Sequence, residues 1–104
     1  EFPEEIRPTA IVCTSDGYAA DLQNAARDHG LELPRDLSVL GTDGLTIGTL
    51  AWPRLSSIGQ PHYQQGAESI RLLLELIGHA DPHNVLLKPT LVERESVWNF
   101  NRKS

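Results

Sequence analysis

Three polar groups in this chain stand where short apolar runs stop. Ser15 and Asp16 follow TAIVCT (Thr9–Thr14), and Asp43 follows LSVLGT (Leu37–Thr42). A carboxylate can accept from two adjacent hydroxyls, and a buried site built around that pairing rejects ligands lacking them. Plainer roles compete. Ser15 is a good helix N-cap, and Asp43–Gly44 is a turn dipeptide. Composition alone favours the turn for Asp43, and both roles stay open at this point.

These groups need elements to position them. TAIVCT is β-rich without polar alternation, as expected of a strand covered on both faces. Tyr18, Ala19, Leu22, Ala25 and Ala26 then recur at helical spacing, and Gly30 ends the pattern. LSVLGT reads as a second buried strand, which makes a βαβ unit and favours a parallel sheet. From Asp43 to Arg54 the chain reads as irregular, with one helical turn near Leu45–Leu50. LSSIGQ (Leu55–Gln60) reads as a third strand. After Pro61, HYQQGAESIRLLLELIGH places Gly66, Ile70, Leu73, Leu74 and Ile77 on one helical face, and Gly78 closes it. ADPHN is a turn, followed by two extended pieces, VLLK and TLVERES. Trp98 and Phe100 are the packing candidates in the polar tail WNFNRKS. In an open parallel sheet, ligands bind outside the carboxyl ends of the strands, and that is where Ser15, Asp16 and Asp43 fall.

The 104 residues suit one domain, and the net charge of −5 argues against this segment gripping DNA or RNA itself. No apolar run reaches membrane-spanning length. The opening EFPEEIRP lacks the basic-then-apolar pattern of a secretory signal. One cysteine, Cys13, excludes an internal disulfide and fits a reducing cytoplasm. Other chemical candidates are thin. His79, Asp81 and His83 have loosely ligand-like spacing, but Pro82 marks a turn and no second pair completes a zinc shell. Cys13 with His62 is a conceivable nucleophile and base, yet a cysteine inside an apolar strand is usually inert core. Ser15 lacks the G-x-S-x-G elbow of a serine hydrolase. Glu93 and Glu95 share a strand face and read as edge charges.

The segments PTAIVCTSDGYAADLQNAARDHGLELPRDLSVLGTDG, PRLSSIGQPHYQQGAESIRLLLELI and LLKPTLVERESV, taken together and in this order, resemble the carboxyl-terminal part of LacI/GalR-family transcription regulators. The likeness runs from about Pro8 to Val97. It implies an α/β, parallel-sheet fold of the type I periplasmic-binding-protein kind, in which two lobes enclose a small effector. Ser15 and Asp16 match the family's strand-end Asn-Asp positions, and Asp43 matches the first acid of its turn after the second strand. Gln60 and His62 match the segment that crosses between lobes. Ligand-binding positions implied in this way are Ser15, Asp16, Asp43, Gln60 and His62. Three departures accompany the match: Ser15 stands for a common Asn, Thr42 for an aromatic, and Gly44 for a second acid.

The resemblance also implies a homodimer, with Tyr18, Leu22, Leu50 and Trp52 at a two-fold contact; as a plain sequence feature, a Trp at a loop end before Pro53 is most often a cap on the core. The expected organisation is a tail or added residues at 1–7, the effector-binding and dimerisation portion at 8–97, and a tail at 98–104. The family's helix-turn-helix has no counterpart here, so the chain is expected to be part of a larger regulator that meets DNA through another domain. The stripe Ile70, Leu73, Leu74 and Ile77 is then expected to lack its usual cover. The reading is a cytoplasmic, sugar-responsive regulator that needs no cofactor, metal or catalysis. The rivals are a periplasmic sugar-binding protein of the same fold and a small hydrolase using Cys13 or Ser15.

Overall fold

The computed structural model describes residues 7–44 and 46–99, and Leu45 and Phe100 lie outside them. Strand β1 (Ala10–Val12) leads into helix α1 (Asp16–Asp28), strand β2 (Ser38–Asp43), a single turn of helix α2 (Ile47–Leu50), and strand β3 (Ser56–Gly59). Helix α3 (His62–Ile77) and strand β4 (Thr90–Val92) complete the chain. The sheet order is β1-β2-β3-β4. β1 and β3 both run parallel to β2, with Val12 opposite Leu40 and Asp43 opposite Gly59. β4 returns antiparallel to β3, with Thr90 opposite Gly59. The expected α/β fold with a mostly parallel sheet is what forms.

Local chemistry explains how α1 starts and packs. Ser15 has extended backbone, and its Oγ accepts the Tyr18 amide at 3.3 Å, satisfying one of the helix's unpartnered donors. Ala19, Gln23 and Ala26 fall on one face of α1, where the two small alanines let the helix approach the sheet closely and the Gln23 amide donates to the Pro53 carbonyl at 3.0 Å. The core is compact: Ala19, Ala26, Leu37, Val39 and Leu55, with Ile11, Cys13, Leu22, Leu31, Leu33 and Ala51 packed around it. The Cys13 thiol, partly buried there, has its pKa raised by desolvation.

Two expectations are corrected. β1 is not covered on both faces: Ile11 packs against the core, while Val12, next along the strand and so on the opposite face, is 68% exposed. VLLK (Val85–Lys88) joins no sheet; its residues run beside α3 instead. Trp98, one of the packing candidates, is tied in through its backbone: its amide donates to Ser38 Oγ at 2.7 Å.

Helix α3 buries none of its residues. Ile70, Leu73, Leu74 and Ile77 are each more than half exposed, so the uncovered stripe expected from sequence is present. The molecule measures 58 × 28 × 27 Å, with a radius of gyration of 18.4 Å. Among the described residues, no helix is long and apolar enough to cross a membrane.

Candidate functional site

The carboxyl ends of β1, β2 and β3 meet at one edge of the sheet. Thr42 Oγ1 donates to the Cys13 carbonyl at 2.8 Å and ties the end of β2 to the chain leaving β1. Ser15 lies two residues beyond Cys13, and Asp43 one beyond Thr42, so both leave the same edge of neighbouring parallel strands. Thr42 therefore works as a clasp between strand ends.

Asp43 adopts φ 105° and Gly44 φ 67°. Such angles are rare for a residue with a side chain and persist where surroundings hold them. At Gly44 a Cβ would stand 2.9 Å from the Gly59 Cα, so bare backbone is required at that crossing. The Asp43 carboxylate is held from β3's end, where Gln60 Nε2 donates to Asp43 Oδ1 at 3.1 Å. His62 Nε2 lies 3.2 Å from the Asp43 carbonyl oxygen, and Gln65 Nε2 donates to Gln60 Oε1 at 3.2 Å. Asp43, Gln60 and His62 thus form one polar cluster at the start of α3. Asp43 and Gln60 are half-buried and His62 is exposed. The carboxylate keeps acceptor capacity beyond the Gln60 bond, which is the property a hydroxyl-rich ligand uses.

Asp16 departs from the expected ligand contact. It is fully buried, and its Oδ1 accepts from Ser57 Oγ at 2.7 Å. It fits there because Gly41 has no side chain: a Cβ would meet Asp16 Oδ1 at 2.2 Å. Sequence reasoning missed Ser57. Its signal was a pair of polar residues, Ser56 and Ser57, inside a strand that is otherwise apolar, and both are buried and bonded. The Ser57 hydroxyl also accepts the Gly44 amide at 2.9 Å.

The four residues named for a two-fold contact divide. Leu50 and Trp52 are 80% and 63% exposed and line a groove of about 240 Å³ with Ala20, Asn24 and Arg27 of α1. Tyr18 is 70% exposed but sits two residues from Ala20, about 200° round the helix. Leu22 shares Tyr18's flank and packs against the core. Among the described residues, no group of three or more His, Cys, Asp or Glu is placed to hold a metal ion.

Comparisons with known proteins agree with this architecture. A family model described as a periplasmic binding protein-like domain matches residues 1–97. The ribose operon repressor of Haemophilus influenzae is 36% identical over 96 residues, covering 90% of this chain and 29% of that protein. The structure of the transcriptional regulator CelR in complex with cellobiose superposes with a TM-score of 0.81 at 31% identity, over 85% of this chain and 28% of that one. A dimeric Lac repressor with an 11-residue C-terminal deletion gives 0.80 at 34% identity, over 90% and 35%. The chain spans less than a third of the length of the curated relatives it matches.

Proposed function

The chain belongs to the periplasmic-binding-protein-like domain family found in LacI-type transcription regulators, and from that premise we propose that it forms one wall of a site for a sugar-like effector. The observation that carries the proposal is the Asp43 carboxylate, held at the carboxyl edge of the sheet by Gln60. Asp43 accepts from ligand hydroxyls, Ser15 offers its hydroxyl from the neighbouring strand end, and His62 approaches from the start of α3. Asp16 is left out of the contact set because it is fully buried. CelR, seen with cellobiose, supports the sugar class of ligand.

The mechanism is a shift in population without covalent chemistry. A ligand between two lobes favours one lobe arrangement by its differential affinity and alters the spacing of DNA-binding heads carried outside this segment. The exposed Leu50–Trp52 surface is assigned to a two-fold contact, an assignment that the dimeric Lac repressor supports. A cytoplasmic location belongs to the same reading, as does a regulator rather than a periplasmic carrier, because the relatives are transcriptional repressors. Calorimetric titration of the complete regulator with D-ribose, lactose and cellobiose tests the site. Asp43→Ala should weaken the sugar that binds by about 10- to 100-fold, the range for losing a hydrogen bond to a charged group. Unchanged affinity in Asp43→Ala, or no binding of any sugar by the wild type, overturns the proposal.

A further inference from the structure

We propose that Asp16 and Ser57 are positioning residues for the effector site, acting through the Gly44 amide to fix the orientation of the Asp43 carboxylate. The proposal rests on the reading of Asp43 as the ligand acceptor and concerns side chains the ligand does not touch.

Three groups stand in line. Gly44 N–H donates to Ser57 Oγ at 2.9 Å, and Ser57 Oγ donates to Asp16 Oδ1 at 2.7 Å. The polarity of the line is forced. A backbone amide can only donate, so Ser57 accepts from Gly44, and its single proton is directed to Asp16. Each bond polarises the next, which strengthens such chains away from water. Asp16 and Ser57 are both fully buried, so water does not compete for these atoms.

The line ends at the segment that most needs support. Asp43 and Gly44 are consecutive residues at positive φ, 105° and 67°. Such backbone holds when its surroundings over-determine it. Ser57 grips the turn from beneath through Gly44, and Gln60 grips the carboxylate from the side. Asp16 is also the neighbour in sequence of Ser15, the other group at this edge. The line therefore joins the start of α1 to the turn after β2 and sets the relation between the two ligand-facing residues. Gly41 makes the line possible by leaving the slot that the Asp16 carboxylate fills.

Amide hydrogen exchange and side-chain amide resonances of the full 104-residue chain, without added ligand, give the test. Ser57→Ala should raise the exchange rate of the Gly44 amide by about tenfold or more and shift the Gln60 side-chain resonances, while the Ala19 and Ala26 amides keep their protection. Asp16→Asn, which retains an acceptor oxygen, should preserve Gly44 protection, and Asp16→Ala should not. Ser57→Cys, with a weaker donor in the same space, gives an intermediate result and serves if Ser57→Ala does not fold. Wild-type exchange at Gly44 in Ser57→Ala overturns the proposal. So does faster exchange at Gly44 with Gln60 resonances unmoved, because the turn then does not depend on the line. In the complete regulator, Asp16→Ala and Ser57→Ala should each weaken the sugar bound by the wild type several-fold, and the double variant should be no worse than either alone. If no sugar binds the wild type, the effector reading fails while the exchange result still decides whether the line holds the turn.

Discussion

Val39 and Ser96, 57 positions apart, exchange two hydrogen bonds: the Val39 amide donates to the Ser96 carbonyl at 2.9 Å, and Ser96 Oγ donates to the Val39 carbonyl. The same hydroxyl accepts the Ser56 amide at 2.8 Å. One buried side chain, 1% exposed, therefore stitches the segment after β4 to both β2 and the start of β3.

Ser96→Ala leaves the Ser56 amide and one lone pair of the Val39 carbonyl without that partner, in a region closed to water. The expected cost is about 1–3 kcal/mol, the range for a buried polar group left unsatisfied. Urea unfolding should show a lower midpoint with an unchanged slope. A midpoint equal to wild type would mean that neighbouring groups reorganise to satisfy both atoms.

The proposed two-fold contact makes a separate prediction. Trp52→Glu places a charge in the centre of the Leu50–Trp52 surface, and in a symmetric contact it does so twice. Sedimentation equilibrium of the complete regulator should give a mass near the monomer for Trp52→Glu. Tyr18→Glu, on the opposite flank of α1, should leave the dimer mass unchanged. The reverse pattern would move the contact to the Tyr18 flank.

Acid should loosen α3. The Arg71 side chain hydrogen-bonds Glu68 and holds its carboxyl below the ordinary range, with the charges of Arg71 and then His83 adding to the effect. A carboxylate depressed in the folded state contributes stability above its unfolded pKa, about 4.3, and loses it as pH falls through the lower folded value. The far-ultraviolet helical signal should therefore decline as pH drops below that point. Arg71→Ala, or high salt, should remove this component of the decline.

Much of this was legible in the sequence. The βαβ reading followed from apolar runs interrupted by helical spacing, and Ser15 as N-cap followed from its place before that spacing. Asp43 was located correctly at the carboxyl end of β2, yet its positive φ was not visible, because an Asp before Gly suits several turns. Asp16 shows why the site itself was harder to read. An acid beside a serine at a strand end looks ligand-facing, and only the slot over Gly41 sends its carboxylate into the sheet. Leu22 was similar: its spacing put it on Tyr18's flank, but proximity to the core buried part of it. The strand reading of Val85–Lys88 failed because β propensity reports fit to a half-buried surface, and no sheet edge is offered there.

The elongated outline has a hydrodynamic consequence. A compact chain of this length would have a radius of gyration of about 13 Å, against 18.4 Å here. Such an outline diffuses and elutes as a larger particle would, so a single chain can pass on a sizing column for a pair. Its association state is properly read from mass, by equilibrium sedimentation or light scattering, rather than from retention volume.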